Sequence, residues 1–556
     1  MRASVAPKTL LDCLARWERE RPDAVYFTQP VARGEVVDYT WKQVGDQARR
    51  MAAYLVDLQL PPRSNIAILG KNSAHWIISD LAIWMAGHVT VPLYPTANAE
   101  TVRYVLEHSE AKLIFIGKLD DLWTIVAPGI PAGLPRVRLP LAPEGEGETW
   151  EAIVARTAPL SPTVERQPEE LATILYTSGS TGKPKGVMIS FEAMITIGRG
   201  VERMFPVGPE DRVLSYLPLA HAAERAVLEA PSLYFGMHVY FAWSLDSFVE
   251  DLRRARPTLF FSVPRLWTRF YQGICEKLPP QKQHRLFRIP LLSGLVKRKI
   301  LTQLGLQHAR VAITGSAPLA PTLVAWYREL GLELLEGYAM SENFAYSHGT
   351  PPGKARVGTV GVCNPDVECR IDASGEILVK SPGQMMGYYK MPELTAETLT
   401  PDGFFRTGDM GTIDADGYLK ITGRVKELFK TAKGKYVAPV PIENRLAQHP
   451  RIEAVCVMGV GQPSAFALTM LSAPAPGATD DRAALSAELE ALLAGVNQTL
   501  EDHEKLGFIA VVDTPWTMEN GFLTPTMKIK RNLIEARYEP RVEDWMRSRK
   551  AVVWES

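Results

Sequence analysis

The stretch from Tyr176 to Gly186, YTSGSTGKPKG, constrains this chain more than any other. It follows the apolar run Leu171 to Leu175, which reads as a buried strand. Its eleven residues include three glycines, four Ser/Thr hydroxyls and two lysines that flank Pro184. Neither a packed helix nor a packed strand accommodates that mixture. Gly179, Gly182 and Gly186 let the backbone turn tightly and approach a ligand. Thr177, Ser178, Ser180 and Thr181 supply hydroxyls, free N–H groups can form an anion nest, and Lys183 and Lys185 add positive charge. Those are the requirements of a polyphosphate. A flexible surface turn is the plain alternative for a Gly/Ser stretch, but the ordered mixture favours phosphate. The stretch is not a Walker A loop, because Gly182-Lys183 is followed by Pro184 and no Gly lies five positions earlier. Pro184 also disfavours helix at Lys183, so this loop is not expected to feed a helix N-terminus.

A chain of 556 residues exceeds what one hydrophobic core usually holds, so several domains are expected. Lys+Arg and Asp+Glu are equal at 62 each, which argues against nucleic acid as the main partner. The five cysteines, Cys13, Cys275, Cys363, Cys369 and Cys456, are scattered without CxxC spacing. That fits a reducing compartment and no zinc site. The N-terminus lacks a signal-peptide core, and no window approaches 18 uncharged apolar residues. A cytoplasmic location follows as the expectation, with peripheral membrane contact left open.

Strand and helix patterns alternate along the first part of the chain. Residues 9–21 predict a helix, Val36 to Tyr39 a strand and Asn65 to Leu69 another. Ala74 to Ala86 predicts an apolar helix, Val89 to Leu93 a strand, 98–108 a helix and Lys112 to Ile116 a strand. Such alternation marks a parallel α/β sheet. Residues 127–168, rich in Pro, Gly and Glu, are expected to be an exposed connection. The alternation resumes at Arg212 to Tyr216, Val239 to Phe241, Thr258 to Ser262 and Arg310 to Ile313. From Gly358 to Thr422 short strands and tight turns are expected, with hairpin signals at Asp402-Gly403 and Asp416-Gly417. The last stretch has its own small α/β pattern. The fold class is therefore α/β: a large N-terminal domain of layered α/β subdomains plus a β-rich subdomain, and a small separate α+β domain at the C-terminal end.

The 176–186 stretch resembles the phosphate-loop signature of the adenylate-forming superfamily, which includes acyl-CoA synthetases, peptide-synthetase adenylation domains and luciferases. Further motifs follow in the superfamily's order. LPLAHAAER, Leu217 to Arg225, resembles the strand-to-helix motif near the acyl pocket, which implies His221 at its mouth; a capping or core histidine is the alternative. FFSVPRLWTRFYQGI, Phe260 to Ile274, resembles a segment of long-chain fatty acyl-CoA synthetases, and its apolar, aromatic character suits a lipid tunnel or plain core. ITGSAPL, Ile313 to Leu319, resembles the turn lining the adenine pocket, so Gly315, Ser316 and Ala317 would carry the base. LEGYAMSEN supplies Tyr338 to stack on adenine, then Ser341 and Glu342. The resemblance implies Mg²⁺ on Glu342, with Thr181 as a second ligand.

GFFRTGDMG carries Asp409, whose carboxylate would accept both ribose hydroxyls. ITGRVKELFKTAKGKYVAP resembles the domain junction, which implies a large domain of residues 1–423 and a small mobile domain of residues 424–556: Arg424 would contact ribose or phosphate, Lys426 falls at the hinge, and Gly434 and Lys435 would meet coenzyme A. LTPTMKIKR aligns Lys528 with the superfamily's catalytic lysine. The usual Gly before it is Met527 here, and Lys530 and Arg531 are neighbouring cations.

The resemblance implies a ligase that uses ATP, Mg²⁺ and coenzyme A, most like the bacterial long-chain fatty acyl-CoA synthetases. A carboxylic acid, expected to be a medium- to long-chain fatty acid, would become acyl-AMP and then a thioester. Lys528, Lys185, Glu342 and His221 would be the catalytic set, and Thr177, Ser178, Gly179, Ser180, Thr181 and Gly182 the phosphate cradle. An acyl-AMP ligase that loads a carrier protein, and a ligase for an aromatic or short acid, remain open alternatives.

Overall fold

The computed structural model describes residues 6–32, 34–177, 183–290, 292–317, 319–432, 434–472, 481–517, 520–524 and 529–555. The chain forms two compact units. The first comprises Met1–Ala317, Leu323–Glu368 and Val379–Phe405; the second comprises Pro318–Thr322, Cys369–Leu378 and Arg406–Ser556. No disulfide links any of the five cysteines. No described helix is long and apolar enough to cross a membrane.

An eight-stranded sheet runs through the first unit. Its middle strands, Asn65–Leu69 and Val89–Leu93, are parallel and buried at every residue. Continuous apolar runs such as Asn65–Leu69 suit strands covered on both faces. Helix Ala74–Met85 lies between those two strands in sequence and is itself fully buried; Ser73 caps it by accepting from the Trp76 N–H. Strand Leu171–Thr177 pairs in parallel with Val89–Leu93 and antiparallel with Lys185–Ser190. A second sheet carries Leu259–Ser262, Val311–Thr314 and Leu334–Tyr338 in parallel, extended by the short antiparallel strands His348–Gly349 and Val362–Cys363. A third joins Arg212–Ser215, His238–Phe241, Val25–Ala32 and Glu35–Thr40.

Residues 127–168 differ from the expected exposed connection. Arg136–Arg138 and Glu148–Thr149 continue the eight-stranded sheet in parallel, and helix Trp150–Arg156 buries Trp150 and Ile153. The Trp150 ring N–H donates to Gln47 Oε1 at 3.0 Å. Strands of three and two residues are too short to show a period, so only their neighbours reveal them.

A sheet in the order Glu368–Ile371, Glu376–Lys380, Phe405–Ile413, Leu419–Arg424 supplies most of its residues to the second unit. Asp416-Gly417 forms the expected turn between the last two, with Gly417 at φ +84°. Beyond it lies a four-stranded sheet, Ile452–Met458, Ala465–Leu471, Leu506–Val512 and Val552–Trp554, with helices Arg482–Asn497 and Arg531–Arg547 packed on it.

A charge cluster lies fully buried in the first unit. Arg225, Asp80 and Glu229 are all 0% exposed. Arg225 donates from Nε to Glu229 at 2.7 Å, from one terminal nitrogen to Thr173 Oγ1 at 3.0 Å and from the other to Asp80. Its guanidinium lies 5.4 and 5.7 Å from the ring centres of Trp76 and Trp84. Burial pushes the Asp80 carboxyl well up against the pull of Arg225. Thr173, on the strand that leads into the phosphate loop, passes the chain on by donating to the Thr90 carbonyl at 3.0 Å. Removing the single cation strands two buried acids. Arg225→Met should therefore destabilise the protein by about 3–5 kcal/mol, measured by urea unfolding; a loss below about 1 kcal/mol would show that the cluster carries no such strain.

Candidate functional site

Thr177 and Lys185 face each other in register where strands Leu171–Thr177 and Lys185–Ser190 leave the hairpin. The glycine-serine stretch thus links strand to strand; Pro184 predicts only that no helix starts at the loop's exit, and none does. Ser178, Gly179, Ser180, Thr181 and Gly182 lie outside the described residues. At the loop's exit, Lys183 Nζ lies 5.7 Å from the ring centre of Tyr104.

Lys185 Nζ lies 5.3 Å from the ring centre of Tyr388. Tyr388 belongs to the short strand Gly387–Tyr388, which pairs antiparallel along Lys185–Ser190 with Tyr388 opposite Val187. Its hydroxyl donates to Glu342 Oε1 at 2.8 Å. Glu342 lies on the single turn Ser341–Asn343, and its backbone carbonyl accepts from the Met385 N–H at 2.8 Å. Burial, and then the charge of Glu342, push the Tyr388 phenol up, so it stays protonated and donates. Lys185 and Glu342 thus meet two ends of one side chain. Tyr388 was missed by sequence reasoning; the two-residue strand that places it has no periodicity to read.

The adenine-pocket candidates share one sheet edge. Gly315, Ser316 and Ala317 follow strand Val311–Thr314, and Tyr338 ends its parallel neighbour Leu334–Tyr338. They therefore sit beyond the carboxyl ends of adjacent parallel strands, where open α/β sheets bind ligands. A Cβ on Gly315 would lie 3.2 Å from the Gly337 carbonyl oxygen, so the two strand ends approach closely there. Ser316 adopts φ +71°, a left-handed conformation uncommon for a non-glycine residue and frequent at functional turns. The Tyr338 ring lies 6.0 Å from that of His348. Burial pushes the Glu336 carboxyl, on the same strand, up to about 7.

His221 accepts from the Ala223 N–H through Nδ1 at 3.0 Å and so caps the helical segment that starts at Ala222. This is the capping role held open for it. Three residues on, the buried Glu224 accepts at Oε1 from Ser215 Oγ (2.8 Å), the Tyr216 N–H (3.1 Å) and Asn72 Nδ2 (3.2 Å). Its carboxyl ties the end of strand Arg212–Ser215 to the helix, and burial pushes it up to about 8. In the aromatic segment, Trp267, Phe270 and Ile274 lie on helix Pro264–Lys277 and are buried. Tyr327 donates to the Trp267 carbonyl at 2.7 Å, and the two rings lie 4.9 Å apart, so these residues fill core.

In the second unit Asp409 and Arg424 are cross-strand partners. Arg424 Nε donates to Asp409 Oδ1 at 2.6 Å. Asp409 is largely shielded while the Arg424 side chain is 52% exposed, so the pair presents its cation outward. Gly408 takes φ +71° and donates its N–H to Glu376 Oε1 at 2.9 Å, which fixes the bend beside Asp409. Lys426 lies on the turn Val425–Glu427. Gly434, at φ +72°, turns the chain between Phe429–Lys430 and Tyr436–Val437, with Lys435 beside it. Lys528 lies outside the described residues. Its neighbour Arg531 is a structural tie: it donates to Glu443 Oε1 and to the Val457 carbonyl, both at 2.7 Å.

The sequence profile described as AMP-binding enzyme matches residues 14–389, and the profile of the AMP-binding enzyme C-terminal domain matches 427–550. The chain belongs to the AMP-binding enzyme family. Among its relatives are proteins named long-chain-fatty-acid–CoA ligase FadD15 from Mycobacterium tuberculosis and Mycobacterium bovis. They are 32% and 31% identical, each over 95% of both chains. The adenylation and carrier didomain of a carboxylic acid reductase from Segniliparus rugosus, solved with AMP, has the same fold, with a TM-score of 0.80 at 22% identity over 98% of this chain and 83% of that one.

Glu224 yields a pH prediction. Its folded-state pKa lies above the ordinary carboxylate value, so its contribution is complete at pH 4 and is lost as pH rises toward about 8. Over that range wild-type stability should fall by up to about 1.4 kcal/mol per pH unit more steeply than that of Glu224→Gln, whose amide oxygen keeps the three donors. Parallel stability–pH curves for the two proteins would remove this assignment.

Proposed function

We propose that this protein activates a medium- to long-chain fatty acid with ATP and transfers the acyl group to coenzyme A. The observation that carries the proposal is the convergence of Lys185, Tyr388 and Glu342 beside the exit of the phosphate loop. Membership of the AMP-binding enzymes supports adenylate formation. Full-length similarity to proteins named long-chain-fatty-acid–CoA ligases supports the fatty acid and the thiol acceptor.

In the first half-reaction a carboxylate oxygen attacks the α-phosphorus and the bond to pyrophosphate breaks. Two anions must meet, so the barrier is largely electrostatic. Lys185 supplies a cation at the phosphate loop. Gly315, Ser316, Ala317 and Tyr338 would bind adenine, and Ser341 would help to shape that pocket. Asp409 would accept the ribose hydroxyls and Arg424 would contact ribose or phosphate. In the second half-reaction the coenzyme A thiolate attacks the acyl carbonyl and AMP leaves, with Gly434 and Lys435 meeting the pantetheine arm. A boundary at 423/424, with Lys426 as hinge, would divide the labour in this way.

The residues present fit a magnesium ion. Mg²⁺ favours oxygen ligands and is usually held by one or two carboxylates plus substrate phosphates. Among the described residues no group of three or more His, Cys, Asp or Glu side chains could hold a metal alone. Glu342 offers one oriented carboxylate, and Thr181 is the second proposed ligand. When bound, the ion neutralises charge on the phosphates. Tyr388, by holding Oε1, fixes how Glu342 presents its other oxygen.

Pyrophosphate release across acetate, octanoate, palmitate and benzoate, with and without coenzyme A, tests the reading. Release with the longer acids that is matched by coenzyme A consumption is expected. Release without thiol consumption would favour the carrier-loading ligase, and release only with benzoate or acetate would overturn the fatty-acid assignment. Lys528→Ala should lower adenylation by roughly 10²–10³ while sparing thioester formation from supplied acyl-AMP; equal losses in both half-reactions would refute its role. Tyr388→Phe should weaken Mn²⁺ binding to the ATP-loaded enzyme, titrated by electron paramagnetic resonance, and raise the magnesium requirement; an unchanged titration would leave Tyr388 a packing residue.

A further inference from the structure

We propose that the helical hairpin formed by Pro280–Phe287 and Leu292–Leu304, in the first unit, docks on an anionic phospholipid surface. From Lys277 to Arg310 the chain carries eight Lys/Arg and no Asp or Glu, although acids and bases are equal over the whole sequence at 62 each. Lys277, Lys282, Arg285, Arg288, Arg298 and Lys299 are all exposed. Among them lie three large apolar side chains that folding does not bury: Ile289 is 46% exposed, Leu292 39% and Leu295 68%. No other seven-residue stretch among the described residues holds three exposed large hydrophobic side chains.

The hairpin is anchored from its other side. Gln283 is buried, accepts from Trp326 Nε1 at 2.7 Å and donates to the Leu278 carbonyl at 2.7 Å. Phe287 on helix Pro280–Phe287 is buried, as are Ile300 and Leu304 on helix Leu292–Leu304. Lys297 Nζ lies 5.0 Å from the Phe287 ring centre. The later turns of the second helix thus use their apolar face for the core, while Leu292 and Leu295 on its first turn, and Ile289 before it, stay exposed. The Ile289 carbonyl accepts from the Ser293 N–H at 2.9 Å.

Charge complementarity selects the occupant. Exposed cations around a small apolar tip suit a bilayer interface, where the apolar groups leave water and the cations meet anionic headgroups. A second copy of the chain would set cations against cations. A nucleic acid would engage the cations but leave Ile289, Leu292 and Leu295 in water. With no described helix able to span a bilayer, the contact is interfacial. The proposal is independent of the reaction, because the binding needs neither ATP nor coenzyme A.

Cosedimentation of the full chain with phosphatidylcholine vesicles, with and without phosphatidylglycerol, tests it. The protein should bind only the anionic vesicles and be released by salt. Each cation near the surface contributes about fivefold, so the combined Lys282→Gln, Arg285→Gln, Arg288→Gln and Arg298→Gln variant should lose binding more than tenfold. The combined Ile289→Ser, Leu292→Ser and Leu295→Ser variant should also lose binding, and both should melt at the wild-type temperature. Wild-type protein that fails to bind the anionic vesicles would overturn the proposal. So would variants that bind as wild type does, or RNA binding as tight as vesicle binding that the apolar variant leaves intact.

Discussion

A single phenol hydroxyl joins segments of the first unit that lie far apart in sequence. Tyr388 donates to Glu342, and the face of the same ring receives the Lys185 ammonium. The hydrogen bond is charge-assisted, so it is stronger than a neutral one and restricts the carboxylate's rotation. A direct Lys185–Glu342 pair would cancel a cation and an anion that phosphate and metal each need. With one aromatic side chain serving both, each charge keeps a defined partner and its net sign. The antiparallel pairing of Gly387–Tyr388 along Lys185–Ser190 makes this arrangement rigid, because the Tyr388 backbone is held by the same strand that begins with Lys185.

Beneath that surface the strand leading into the phosphate loop rests on buried charge. Arg225 reaches Thr173 while it satisfies two acids, and Thr173 hydrogen-bonds to the neighbouring strand. A charge cluster in an apolar interior is expensive to form, but once formed it has few alternative geometries. The indole rings of Trp76 and Trp84 close its surroundings. The same LPLAHAAER segment contributes His221 as a cap and Glu224 as a buried anchor, so one motif places a strand end, a helix start and a buried cation.

In the second unit the Asp409–Arg424 pair has a backbone cause. The antiparallel register sets the two residues opposite each other, and Gly408, at a positive φ, bends the strand beside them. The neighbourhood of the C-terminal lysines is sorted by burial. Arg531 is committed to Glu443 and the Val457 carbonyl, which removes it as a rival for a role that needs a free cation.

Much of the fold was legible along the chain. The parallel sheet followed from apolar runs such as Asn65–Leu69, the exclusion of a helix at the exit of the phosphate loop from Pro184, and the last hairpin turn from Asp416-Gly417. These features are local, and each is written in a few consecutive residues. The edge strands within 136–149 and the placement of Tyr388 were not legible, because strands of two or three residues acquire their conformation from partners distant in sequence. Chemistry-bearing residue types, and their order, were determined by the sequence alone. Which of them share a side chain, a register or a buried counter-charge was decided only in three dimensions, since electrostatic contacts depend on distance in space and the sequence records only distance along the chain.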